Sequence, residues 1–234
     1  MSMDKVIKIT EDGPYIVRGG IPIYEKVISK GPDGYFWKDG RELPQSDVYA
    51  LCRCGRSKEA PFCDGKSHKR FRGKETADRA PFGERAKEFE GPDIDLMDDE
   101  RCSLSMFCHR KGGTAWKLLP MSDDPEARNE IIRAACECPS GRIVAIGKDG
   151  QIYEDVLEPS IYIVQDGTRN VSSGIYVMGG IPIESADGEI YEIRNRVMLC
   201  RCGSSRNKPF CDATHINQMY KDSRGGSYFT NKKD

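Results

Sequence analysis

The stretch "CRCGSSRNKPFCDATH", Cys200 to His215, places three cysteines and one histidine within sixteen residues. A closely similar stretch, "CRCGRSKEAPFCDGKSH", runs from Cys52 to His68. In both, Cys-x-Cys is followed after eight residues by a third cysteine and then by a nearby histidine. All of these side chains can ligate a transition metal, and thiolates select zinc, copper(I) or iron–sulfur clusters. Zinc sites commonly use cysteine pairs spaced by two to four residues. A Cys-x-Cys pair suits two thiolates on one iron, with the later cysteine and histidine on a second iron. Four more cysteines lie between: Cys102 and Cys108, then Cys136 and Cys138. The ten cysteines therefore fall in groups of three, four and three.

The elements that must position these ligands repeat as well. "DGPYIVRGGIPIYE" (12–25) parallels "SSGIYVMGGIPIES" (172–185), and Val48–Gly65 parallels Arg196–Ala213. Short β-branched and aromatic runs alternate with Gly-Gly, Pro and Asp-Gly. This predicts strands over Tyr15–Val17, Pro22–Ile28, Val48–Cys52, Tyr176–Met178 and Ile190–Leu199. The first copy is longer, and residues 29–45 read as a loop. One copy is too small for a good core, so two copies packed about an approximate two-fold axis are expected. Residues 83–100 carry eight acidic and two basic side chains and read as a solvated linker. The segment "DDPEARNEIIRAACE" predicts a helix, with Asp124 as N-cap, Pro125 first, and Ala127, Ile131 and Ala134 or Ala135 on one face. Pro139 ends it, and "RIVAIGKDGQIYE" then reads as a hairpin. The expected organisation is an α+β, strand-dominated chain. Residues 1–80 and 161–234 are its related halves, 81–100 the linker and 101–160 an inserted domain.

Lys+Arg number 36 against 37 Asp+Glu, so no charge excess points to nucleic acid. The hydrophobic share is 38%, low enough that bound metal is a natural aid to folding. No apolar run approaches a membrane span, and the N-terminus lacks a signal-peptide core. A cytoplasmic protein with reduced thiols is expected, in which cysteines serve metal rather than disulfides.

The second motif resembles the CDGSH iron–sulfur motif of the mitoNEET family at Cys200, Cys202, Ser205, Pro209, Cys211, Asp212 and His215. Ala213 stands where the family has glycine, a mild change unless the position needs positive φ. The first motif matches at Cys52, Cys54, Ser57, Pro61, Cys63, Asp64 and Gly65. Lys66 is then an extra residue, Ser67 takes the usual histidine position, and His68 is expected to ligate. The resemblance implies a three-Cys, one-His [2Fe-2S] cluster in each copy, joined as an intramolecular pseudo-dimer. Histidine in place of a thiolate raises the cluster potential, and imidazole can be protonated near physiological pH. Arg53 and Arg201, after the first cysteine of each copy, are either donors to cluster sulfur or solvated.

The middle segment resembles a divergent single-cluster ferredoxin domain, with Cys-Pro closing the set and Ser105 at the central cysteine position. This implies a [3Fe-4S] cluster on Cys102, Cys108 and Cys138, or a [4Fe-4S] cluster with Cys136 as fourth ligand. His109, Trp116 and the Gly112-Gly113 turn read as structural. The leading expectation is a monomeric multi-cluster electron carrier serving redox partner proteins, not an enzyme. The alternatives are a cluster carrier or redox sensor delivering to apo-proteins, and a zinc-stabilised interaction module.

Overall fold

The computed structural model describes residues 4–224. The first copy contributes β1 (Val6–Ile9), β2 (Tyr15–Arg18), β3 (Ile23–Gly31), β4 (Gly34–Asp39) and β5 (Val48–Leu51). The middle of the chain forms α1 (Phe82–Arg85), β6 (Lys87–Phe89), β7 (Ile94–Asp98), β8 (His109–Arg110), β9 (Gly113–Thr114) and α2 (Ala115–Leu118). A 3-10 turn at Leu119–Met121, α3 (Pro125–Cys136), β10 (Ile143–Gly147) and β11 (Ile152–Tyr153) complete it. The second copy supplies β12 (Ser160–Asp166), β13 (Val171–Met178), β14 (Ile183–Glu184), β15 (Arg196–Leu199) and α4 (Thr214–Asn217). Strands dominate, and helices are few, as an α+β chain requires.

The two copies exchange strands. Strand β1 runs antiparallel to β2 and parallel to β14 of the other copy, giving the order β14-β1-β2-β5. Strand β12 runs antiparallel to β13 and parallel to β3 of the other copy, within β15-β13-β12-β3-β4-β8-β9. The same Ile-Pro-Ile stretch receives the visitor each time: Ile7 N–H donates to Pro182 O at 3.0 Å and Ile161 N–H to Pro22 O at 2.9 Å. Alternation along these strands turns Ile7, Ile9, Tyr15 and Val17 inward, where they meet Ile161, Ile163, Ile175 and Ile183 in one core. Each such side chain, fully buried, contributes about 1.5–3 kcal/mol. Beside this core the two cysteine loops abut through glycines. A Cβ on Gly55 would lie 2.4 Å from Cys202 O, and one on Gly203 would lie 2.6 Å from Cys54 O.

Three local expectations are corrected. Residues 29–45 do not simply loop: β3 and β4 form a hairpin around Pro32-Asp33-Gly34. The aromatic run explains it, because Trp37 stacks on Phe107 at 4.5 Å and on Tyr176 at 5.8 Å. The acidic stretch 83–100 is not a solvated linker. Strands β6 and β7 belong to the sheet β11-β10-β7-β6, and Ile94 and Leu96 are fully buried in the core that α3 covers. Its carboxylates face partners: Asp93 pairs with Arg128, Asp95 with Lys148, Asp98 with Arg142 and Asp99 with Arg85. The first strand of that sheet begins at Lys87. The strand expected over Ile190–Leu199 is confined to Arg196–Leu199, with Ile190 in a single bridge to Glu184.

The helix α3 forms where its cap and periodicity place it. Asp124 accepts from the N–H groups of Glu126 and Ala127, each at 3.0 Å, and Ala127, Ile131, Ala134 and Ala135 are buried. The Asp149-Gly150 turn joins β10 and β11, Gly150 taking φ +83°. Among the described residues no helix is long and apolar enough to cross a membrane.

Candidate metal centres

Both outer motifs hang from equivalent strand ends. Strand β5 delivers Cys52, and β15 delivers Cys200. Cys52 N–H donates to Pro61 O at 2.8 Å and Cys200 N–H to Pro209 O at 2.7 Å, closing each loop. Cys63 and Cys211 return to the neighbouring strand carbonyls of Ala50 and Met198, both at 2.8 Å. Ser57 Oγ donates to Phe62 O at 2.6 Å, and Ser205 Oγ to Phe210 O at 2.7 Å. The motif aspartates knot the remaining turn. Asp64 accepts from the amides of Lys58, Lys66 and Ser67, and Asp212 from those of Arg206 and Thr214.

The donors come in pairs. Cys52 Sγ and Cys54 Sγ stand 3.6 Å apart, and Cys200 Sγ and Cys202 Sγ 3.8 Å. Cys63 Sγ lies 3.4 Å from His68 Nδ1, and Cys211 Sγ lies 3.4 Å from His215 Nδ1. Two donors on one tetrahedral metal, at about 2.3 Å for sulfur and 2.0–2.1 Å for nitrogen, stand about 3.4–3.8 Å apart. Each pair therefore fits one metal atom. Among the described residues no three Cys, His, Asp or Glu side chains group closely enough for a single ion.

The extra Lys66 is absorbed. In the second copy His215 rides on α4, where one added residue would swing it by about 100°. In the first copy residues 67–70 form turns, with Asp64 bonding the amides of Lys66 and Ser67. A turn takes up an insertion that a helix would convert into rotation. Ala213 pays the conformational penalty raised above: it lies at φ +66°, against +69° for Gly65.

The electrostatics of the pairs also match. The Cys52 thiol is pulled down to about 6, first by the hydrogen bond from Cys54 and, against burial, by the amides of Ser57 and Gly55. Cys200 is pulled down to about 7 by Cys202 and, against burial, by the amides of Ser205 and Gly203. Their partners Cys54 and Cys202 are held up by the same hydrogen bond and by burial. Burial, with Arg201 nearby, pushes His215 down to about 4. In the metal-free chain this imidazole is therefore neutral, and a free donor, near physiological pH.

Arg53 and Arg201 are not solvated. Each is buried and braces its loop from behind. Arg53 donates to the carbonyls of Thr10, Gly13 and Gly73 at 2.9–3.0 Å. Arg201 donates to Ser173 O and Val164 O and to the carboxylate of Asp222. Asp222 in turn accepts from Gln165, which also bonds Glu25 of the first copy. No sequence pattern marked this buried polar chain, because its members lie far apart and outside the cysteine groups.

In the middle domain the thiols of Cys102, Cys108 and Cys138 act on one another electrostatically. Burial lifts Cys108 to about 12. The loop that carries Cys102 has left-handed residues at Leu104 and Met106. A serine chain ties it to the Cys138 turn: Ser105 Oγ meets Ser103 Oγ at 2.9 Å, and Ser140 Oγ donates to Ser103 Oγ at 2.8 Å. Cys136 stands apart on α3, its thiol directed at Tyr153 O at 3.5 Å, among Glu154, Asp155 and Arg196. His109 is half-buried in β8 and Gly112-Gly113 closes the turn to β9, while Trp116 lies under Arg142.

Cysteine–cysteine and cysteine–histidine pairs on strand-end loops, twice over, have the spacing of donors to a metal atom. Comparison with family profiles agrees. The profile described as "Iron-binding zinc finger CDGSH type" matches residues 12–69 and 173–216, and "Divergent 4Fe-4S mono-cluster" matches residues 89–148. The chain thus carries two regions similar to the CDGSH iron-binding family, with a region similar to a divergent 4Fe-4S mono-cluster domain between them. No match to the chain was found among curated proteins or solved structures.

Proposed function

We propose that the chain is a three-cluster iron–sulfur electron carrier, not an enzyme. Cys52, Cys54, Cys63 and His68 would hold one [2Fe-2S] cluster, and Cys200, Cys202, Cys211 and His215 a second. Cys102, Cys108 and Cys138 would hold a [3Fe-4S] cluster, or, with Cys136 as fourth ligand, a [4Fe-4S] cluster. When bound, such clusters supply one-electron redox chemistry. The carrying observation is the matched donor pairs, 3.6 and 3.8 Å for thiolate with thiolate and 3.4 Å twice for thiolate with imidazole. The buried Arg53 and Arg201 hold each loop in shape, and the amides after each Cys-x-Cys pair stabilise its thiolate. The exchanged strands support a single chain that is its own dimer, working in the cytoplasm.

One observation supports a second reading, delivery of clusters to apo-proteins: Cys63 and His68 are half-buried whereas Cys211 and His215 are buried. Iron and acid-labile sulfide analysis of anaerobically purified protein, with EPR before and after dithionite, tests both. Reversible reduction with all clusters retained is expected. Cluster loss on reduction, with transfer to an apo-ferredoxin, would favour delivery. Colourless, zinc-loaded protein would refute both readings.

A further inference from the structure

The two CDGSH copies share a fold but not a surface. His215 is only 2% exposed, while His68 and Cys63 are partly open to solvent. Around that opening the first copy is strongly basic. From Arg56 to Lys74 it carries seven Lys or Arg residues and two acidic ones; the equivalent 204–221 carries three and one. All seven side chains are exposed. Arg72 pairs loosely with Asp12 at 3.5 Å, and Glu59 is occupied by Arg224. Among the described residues no carboxylate pairs with Arg56, Lys58, Lys66, Lys69, Arg70 or Lys74. Asp64 is turned into its own loop by Ser67 and three amides.

The other opening toward cluster ligands has the opposite character. A cavity of about 760 Å³ reaches Cys102 and Cys211 between the insert and the second copy. Five carboxylates, of Asp78, Glu84, Asp99, Glu100 and Asp212, line it against two guanidiniums, both drawn to Asp99. The chain as a whole is nearly neutral, so the basic stretch that carries His68 is a local feature rather than a reflection of net charge. A cluster of like charge beside a partly exposed donor steers an oppositely charged partner and orients it over that donor.

We propose that the face formed by Lys66, Lys69, Arg70 and their neighbours around Cys63 and His68 is the docking surface for an acidic electron-transfer protein. This rests on the electron-carrier reading, and it makes the first CDGSH copy the external port and the second an internal station. The chain's own residues do the selecting: the basic cluster accepts an acidic surface here, and the acidic cavity at Cys102 repels it.

The test uses the cluster-loaded full chain and acidic flavodoxin as the probe. Binding is read first, as the Kd for oxidised flavodoxin at low and high salt. The triple variant Lys66→Glu, Lys69→Glu, Arg70→Glu is compared with a control, Lys117→Glu with Arg206→Glu, which alters exposed charge elsewhere. The expected result is a Kd that rises at least tenfold in the triple variant at low salt. Salt should erase the difference as the Debye length shrinks to about 3 Å at 1 M. The rate of reduction by flavodoxin hydroquinone should fall by about 10–100-fold in the same variant, while direct reduction by dithionite is unchanged. A triple variant within twofold of the parent, an equal loss in the control, or tighter binding to a DNA oligonucleotide or anionic vesicles than to flavodoxin would overturn the proposal. Failure of dithionite to reduce the parent would refute the carrier reading instead, and the Kd comparison would still decide the docking surface.

Discussion

Gly55→Ala is the most direct probe of how the two cysteine loops are fitted together. Gly55 sits at φ +74°, so alanine there first incurs the left-handed penalty of about 1–2 kcal/mol. Its Cβ would also lie 2.4 Å from Cys202 O and 2.8 Å from Cys202 C, where normal contact needs about 1 Å more. The atoms in the way are backbone, so the loops must separate, an overpacking cost of about 1–3 kcal/mol. Gly65→Ala supplies the control. Its φ is +69°, nearly the same, but nothing lies within 4 Å of the new Cβ. Reduced unfolded-state entropy returns about 0.4–1 kcal/mol to either alanine. The net expectation is about 2–4 kcal/mol for Gly55→Ala and about 1 kcal/mol for Gly65→Ala. For a chain of this size that is a fall in Tm of about 4–15 °C against about 2–4 °C, read by calorimetry and near-ultraviolet circular dichroism. Gly203→Ala should behave like Gly55→Ala, and the double variant should cost less than the sum, because both open one seam. Equal Tm values for Gly55→Ala and Gly65→Ala would refute the reasoning.

Ala213→Gly, which relieves the left-handed alanine, should raise stability by about 0.5–1 kcal/mol in denaturant titrations. Cys136→Ala should leave the middle cluster's iron content and EPR signal intact, whereas Cys138→Ala should abolish them; loss of signal in both would make Cys136 a ligand. Arg201→Met should cost about 3–5 kcal/mol, because it leaves the Asp222 carboxylate buried without its counter-charge. Burial alone would raise the Asp222 carboxyl, but Arg201 overrides it and holds it at about 2. The folded value is thus below the ordinary one, so this pair's stabilisation is present above about pH 4 and lost as pH falls toward 2. Asp222→Asn should flatten the acid limb of the stability–pH curve across that window, and an unchanged limb would count against the pair.

The cysteine groups were legible because ligand chemistry demands both residue types and spacing, and the repeat showed twice which spacing was kept. The helix α3 was legible for a similar reason: cap, proline and apolar period agree locally. The acidic stretch is misleading because its composition alone reads as solvation. In "DIDLMD" the charges alternate with Ile94 and Leu96, and a period of two makes one wet face and one buried face. The roles of Arg53 and Arg201 were equally hidden, since only tertiary structure brings the carbonyls of Thr10, Gly13 and Ser173 around them. The fate of His68 turned on whether its segment was helix or turn, a choice made by the Asp64 hydrogen bonds rather than by any residue count.

Strand exchange also sets a timetable for synthesis. Lys8 on β1 meets Glu184 on β14 across 176 positions, so the first sheet stays open until most of the polypeptide has left the ribosome. At about 5–20 residues per second that delay is on the order of 10–35 seconds. During it the earliest thiols are exposed in an unfinished scaffold, and iron delivered then would meet a nest without its far wall. The sheet beside the first cysteine loop is therefore completed only with the second copy.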